Sequence, residues 1–160
     1  TQGVSSAASD VYKRQVGLHS GAAVRLAILP APADHGIVFV RTDLGRARIP
    51  ALWDHVTPSQ LCTLLDNGQG ATVSTVEHVM AALAGTGITN AVVEVNGPEI
   101  PILDGSSAPF VQGIVEAGLR YYPDAPLRAI RVLRDVEVRQ GLAHARLSPA
   151  DHLALSLIHI

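Results

Sequence analysis

The sequence predicts an α+β fold: a two-layer sandwich in which a mostly antiparallel sheet is packed by two helices. Three observations carry this expectation. Two stretches repeat apolar residues at helical spacing, and short β-type runs bounded by Gly, Pro, Asn and Asp fill much of the rest. Their order, strands, one helix, two strands, a second helix and strands again, lacks the regular alternation of a parallel doubly wound sheet. One sheet face can then bury the apolar stripes of both helices. With 160 residues and 48% hydrophobic content, the chain is long enough to build that core as one domain.

Taken in order, Ala22 to Leu29 is aliphatic apart from Arg25, and Pro30-Ala31-Pro32 ends it, so it reads as a strand and turn. Gly36 to Arg41 is a second strand. Gln60 to Leu65 is a third, followed by Asp66-Asn67-Gly68, a turn that returns the chain as a hairpin into Ala71 to Val73. Ser74 with Glu77 three residues later has the form of a capping box. Val76, Val79, Met80 and Leu83 then repeat at helical spacing, so a helix is expected from about Thr75 to Ala84, stopped by Gly85. Asn90 to Val95 is a strand; Asn96-Gly97-Pro98 turns into Glu99 to Leu103, where Pro101 requires an edge or bulge. After the Asp104-Gly105-Ser106 turn, Phe110, Val111, Ile114, Val115 and Leu119 mark a second helix with Pro109 in its first turn. Strands are expected again at Ala129 to Leu133, Val136 to Arg139 and Ala143 to Leu147.

The two ends stand apart. The run from Thr1 to Gln15 (TQGVSSAASDVYKRQ) and the run from Leu155 to Ile160 (LSLIHI) resemble translated adapter sequence, so residues 1–15 are expected to be a non-native leader and residues 155–160 a non-native tail. An N-terminal tail and a short apolar final strand are the competing reading. The expected domain is residues 16–154.

Composition excludes several function classes. The 12 basic and 14 acidic side chains leave a formal charge of -2, and aromatics are only 4%, which disfavours a nucleic-acid partner. Cys62 is the only cysteine, so an internal disulfide or a multi-cysteine zinc site is ruled out. No apolar run approaches the roughly 18 residues of a membrane span, and no signal core is visible. A cytoplasmic location is expected.

Generic motifs stop short of a function. The seven histidines, at 19, 35, 55, 78, 144, 152 and 159, contain no His-x-x-x-His pair, and a phosphate loop and a serine-nucleophile elbow are both absent. Four segments in fixed order go further: VGLHSG (16–21), RTDL (41–44), STVEHVMAALAGTGITN (74–90) and EVNGPEIPILDGSSAPFV (94–111). Together they resemble the N-terminal half of the UDP-3-O-acyl-N-acetylglucosamine deacetylases, across most of residues 16–149.

The resemblance implies a zinc-dependent amidohydrolase that removes the N-acetyl group from a UDP-linked, acylated glucosamine on the way to lipid A. Zinc lowers the pKa of a bound water and polarises the amide carbonyl, while a carboxylate takes the proton. By that resemblance Glu77 is the catalytic base and His78 a zinc ligand. On local pattern alone, Glu77 is a helix-start carboxylate, and His78, about 200° around the helix from Val76 and Met80, is a surface histidine. His19 between glycines reads as a turn residue, and the resemblance puts it beside metal and substrate. Asp104 reads as turn chemistry, and the resemblance makes it a partner that orients a histidine or water. Cys62 reads as a small buried residue in a strand, in a stretch the resemblance brings near zinc. His35, His55, His144 and His152 are given no role.

The same resemblance implies a missing C-terminal domain of similar architecture. It would supply a His-x-x-x-Asp pair of zinc ligands, a lysine for the pyrophosphate and an acid histidine, so the chain alone is expected to bind zinc weakly and to be inactive. The family's first strand is expected to be missing as well, leaving an unpaired sheet edge. The alternative is a stand-alone, non-catalytic α+β binding module.

Overall fold

The computed structural model describes residues 4–8 and 11–156; residues 1–3 and 9–10 of the expected leader and residues 157–160 of the expected tail lie outside them. The chain divides into two compact units, Thr1–Leu127 and Arg128–Ile160. In chain order, the first contains β1 (Val4–Ala8), β2 (Val11–Val16), β3 (Ala23–Pro30), β4 (Ile37–Arg41), β5 (Ala47–Pro50), a 3-10 turn (Trp53–His55), β6 (Val56–Thr57), β7 (Leu64–Asp66) and β8 (Thr72–Ser74). It continues with α1 (Glu77–Gly85), β9 (Ala91–Val95), α2 (Ala108–Ala117) and β10 (Leu119–Pro126). The strands form a five-stranded sheet in the order β2-β3-β9-β4-β5, a three-stranded sheet β6-β7-β8 and a β1-β10 pair. Within these sheets β4 and β9 pair in parallel and the other neighbours are antiparallel.

The sandwich follows from side-chain alternation. Val24, Leu26 and Ile28 on β3 and Ala91, Val93 and Val95 on β9 are buried at every second position, which gives the central strands one common apolar face. Val79, Ala82 and Leu83 of α1 and Phe110 and Ile114 of α2 join the same cluster, with Phe39 and Ile49 from β4 and β5. The fold is therefore the expected α+β two-layer sandwich, mostly antiparallel and packed by two helices. α2 also approaches β2 closely: a Cβ at Gly113 would lie 2.8 Å from Val11 Cγ1.

Several expectations change in detail. β2, which apart from Val16 lies in the segment set aside as a leader, pairs with β3 from Val11↔Ile28 to Val16↔Ala23 and forms the edge of the sheet beyond it. The strand expected at Gln60–Leu65 shortens to β7, because residues 60–62 form a bend in which Leu61 has φ 61°. Glu99–Leu103 forms no strand beyond a single parallel bridge, Ser74↔Glu99, since Pro101 removes a ladder donor. α2 ends at Ala117 because Gly118 turns with φ 89°, which hands Leu119 to β10. β5 was not foreseen; it pairs antiparallel with β4.

The second unit contains an antiparallel hairpin of β11 (Val136–Gln140) and β12 (Ala143–Leu147), turned at Gly141. The strand expected at Ala129–Leu133 does not form. Among the described residues, no helix is long and apolar enough to cross a membrane.

A buried arginine ties the two larger sheets of the first unit. Arg41, only 6% exposed at the end of β4, donates from Nε and Nη2 to the two carboxylate oxygens of Asp43 (2.9 and 2.7 Å) and from Nη1 to the Thr72 carbonyl of β8 (2.6 Å). The guanidinium holds the Asp43 carboxyl below its usual range against a smaller opposing effect of burial. Arg41→Met is expected to destabilise the protein by about 1–3 kcal/mol, because Asp43 and the Thr72 carbonyl lose their partner; urea denaturation at pH 7 measures it, and an unchanged midpoint would show the pair to be dispensable.

Candidate functional site

The site is built where β8 turns into α1. Ser74 is clamped to the segment after β9: its N–H and hydroxyl both donate to the Pro98 carbonyl (2.8 and 3.2 Å), and its own carbonyl accepts from Ile100 N–H (3.1 Å). Thr75 then adopts φ 58° while buried, a conformation costly for a β-branched residue and stable only when its surroundings enforce it. The enforcing contact is a hydrogen bond from the Thr75 hydroxyl to Glu99 Oε1 (3.1 Å). The bend delivers the chain into α1 at Glu77.

The expected capping box is therefore not formed. Val76 occupies the cap position with no side-chain cap bond, and Glu77 is the first helical residue. Ser74 and Glu77 each have a tertiary partner instead, and for Glu77 it is the Thr63 N–H, which donates to Oε2 (3.1 Å). Among the described residues Oε1 of Glu77 accepts no hydrogen bond, so one carboxylate oxygen is oriented and the other remains available. The buried stripe of α1 is Val79, Ala82 and Leu83. Glu77 lies nearly opposite Val79 on the helix, whereas His78 lies about 100° away from it, on the flank of the stripe. Both are half-buried. His78 is thus less outward-facing than its spacing from Val76 and Met80 suggested.

The His19 loop is fixed by the same carboxylate that holds Thr75. Glu99, 1% exposed, accepts the N–H of His19 at Oε1 (2.9 Å) and the N–H of Ser20 at Oε2 (2.9 Å). The His19 residue itself is exposed. Burial pushes the Glu99 carboxyl up, but the His19 N–H, the Ser20 hydroxyl and N–H and the Thr75 hydroxyl together outweigh it and bring the pKa down to about 2. Gly17 makes the fit possible: a Cβ there would lie 2.2 Å from Glu99 Oε2 and 2.4 Å from Ser20 Oγ. Gly17→Ala is expected to cost about 1–3 kcal/mol through overpacking. Gly85→Ala, where a Cβ meets nothing within 4 Å, is the control, and thermal unfolding of the two variants should separate them clearly.

Asp104 is exposed in its turn and accepts from the Ser106 hydroxyl (2.8 Å) and N–H (2.9 Å). These bonds, hydroxyl first, lower its pKa against a smaller opposing effect of desolvation. Cys62 is half-buried in the bend before β7 rather than inside a strand, with Sγ 3.1 Å from Ser59 Oγ. The next residue, Thr63, is the one that orients Glu77.

Glu99 and Thr75 were not anticipated. A lone carboxylate in the apolar run EIPIL was the available signal, but its alternation reads as a strand. Among the described residues, no group of three His, Cys, Asp or Glu side chains could hold a metal ion, so His78 does not by itself form a zinc site.

Fold and side chains define a class first: an α+β sandwich with a carboxylate and an imidazole adjacent at a helix start and a glycine-flanked histidine loop. Within it the match is specific. The family model described as LpxC, UDP-3-O-acyl N-acetylglycosamine deacetylase, covers residues 6–159, and the chain belongs to that family. It is similar to the UDP-3-O-acyl-N-acetylglucosamine deacetylases of Anaeromyxobacter dehalogenans (strain 2CP-C), 55% identical over 88% of this chain, and of Myxococcus xanthus (strain DK1622), 52% identical over 88%. That of Phenylobacterium zucineum (strain HLK1) is 51% identical over 85% of this chain. The chain spans 45–47% of the length of these relatives.

Proposed function

We propose that this chain is the N-terminal part of a zinc-dependent amidohydrolase that deacetylates UDP-3-O-acyl-N-acetylglucosamine, and that it supplies one wall of the active site. The observation that carries this reading is the Glu77–His78 pair at the start of α1, with Glu77 Oε2 oriented by the Thr63 N–H and Oε1 left available. In this reading Glu77 Oε1 takes the proton of the attacking water, the usual task of a positioned carboxylate base. His78 offers one imidazole to zinc. Zinc, when its other ligands come from outside this chain, supplies Lewis-acid polarisation and an acidified water. In the same reading His19 and Asp104 face substrate or orient its neighbours, and Cys62 precedes Thr63, which orients Glu77.

The absence of a three-ligand group among the described residues supports the view that the chain alone is inactive. The same observation favours a second reading, a stand-alone non-catalytic α+β module. Reading the source DNA past codon 154 separates them: continuation into a domain with a His-x-x-x-Asp pair supports the enzyme, whereas a native stop codon at that point supports the binding module.

A further inference from the structure

We propose that Glu99 is a positioning residue of this site: its buried carboxylate fastens the His19 loop to the Thr75 bend and so fixes that loop relative to the start of α1, which carries Glu77 and His78. The proposal rests on the functional reading of those three residues given above. Glu99 joins three parts of the chain that are far apart in sequence. Oε1 accepts both the His19 N–H (2.9 Å) and the Thr75 hydroxyl (3.1 Å), and Oε2 accepts the Ser20 N–H (2.9 Å). Thr75 lies two residues before Glu77, in a backbone conformation it would not hold unaided. A buried carboxylate is tolerated only when its lone pairs are met, and here the donors come from the elements that carry the site. The missing Cβ of Gly17 closes the cradle around it. At 1% exposure Glu99 has no route to substrate, so it acts through the residues it holds.

The test is a double-mutant cycle in the full-length protein, reading kcat/KM for deacetylation, zinc content and thermal unfolding. Glu99→Gln is expected to lower kcat/KM about ten- to hundredfold with zinc retained, as a misplacement of about 1 Å would do. In a His19→Ala background the same change should cost no more than about threefold, because coupled residues are not additive. Equal losses in both backgrounds, or an unchanged kcat/KM in folded Glu99→Gln, would overturn the proposal. If Glu99→Gln does not fold, Thr75→Val takes its place in the cycle, with Thr75→Ser restoring activity; failure of that rescue overturns the proposal as well. A silent His19→Ala would instead remove the functional reading of His19, and this proposal with it.

Discussion

In the full-length protein, Glu77→Ala is expected to keep its zinc and lose about 10²- to 10⁴-fold in turnover, the range a positioned general base supplies, whereas His78→Ala is expected to lose the metal. The two residues are adjacent, and the proposal gives them separate tasks. Glu77 is held at Oε2 by the Thr63 N–H, and alanine there leaves a half-buried N–H that water can reach, so folding should be little affected. Glu77→Gln refines the test, because its amide oxygen can still accept from Thr63 but cannot take a proton. Metal analysis beside a deacetylation assay reads both effects. Near-normal turnover in Glu77→Ala would exclude it as the base, and full zinc content in His78→Ala would exclude it as a ligand.

The second large effect concerns stability against acid. The Glu99 carboxyl stands at about 2 in the folded protein against an ordinary value of 4.5. A depressed folded pKa contributes stability that is fully present above about pH 4.5 and is lost as the pH falls towards 2. The difference corresponds to about 3 kcal/mol. Glu99→Gln should lower stability at pH 7 by about 1–3 kcal/mol, because one part-buried N–H donor would then face an amide NH₂. It should also flatten the decline between pH 4.5 and 2. Urea midpoints for both proteins across that window give the comparison; parallel declines would mean that other carboxylates dominate acid unfolding.

The fold class was legible because it depends on the order of elements, and the start of α2 was legible from Pro109 and the apolar repeat, whereas its end was carried past Gly118 to Leu119. The start of α1 was not. Ser74 and Glu77 have the spacing of a capping box, but the Pro98 carbonyl and the Thr63 N–H compete for them, and no local pattern reveals partners so placed. Glu99 was hidden for the same reason: its donors at His19 and Ser20 lie 80 and 79 residues away. Leu119 fits both the helical period that precedes it and the strand that it begins. Local pattern at Glu77 and His78 yields a helix start only, and their assignment as base and ligand comes from the resemblance of the four segments.

The position of β9 also bears on how the protein emerges from the ribosome. This strand lies between β3 and β4 in the sheet yet follows both by 50 residues or more. A nascent chain that has not yet released residues 91–95 therefore holds two apolar strands without the neighbour they share, a state open to edge-to-edge association. Synthesis passes through a window of vulnerability that closes only when Ala91–Val95 clears the exit tunnel, and slow codons placed before that point would prolong it.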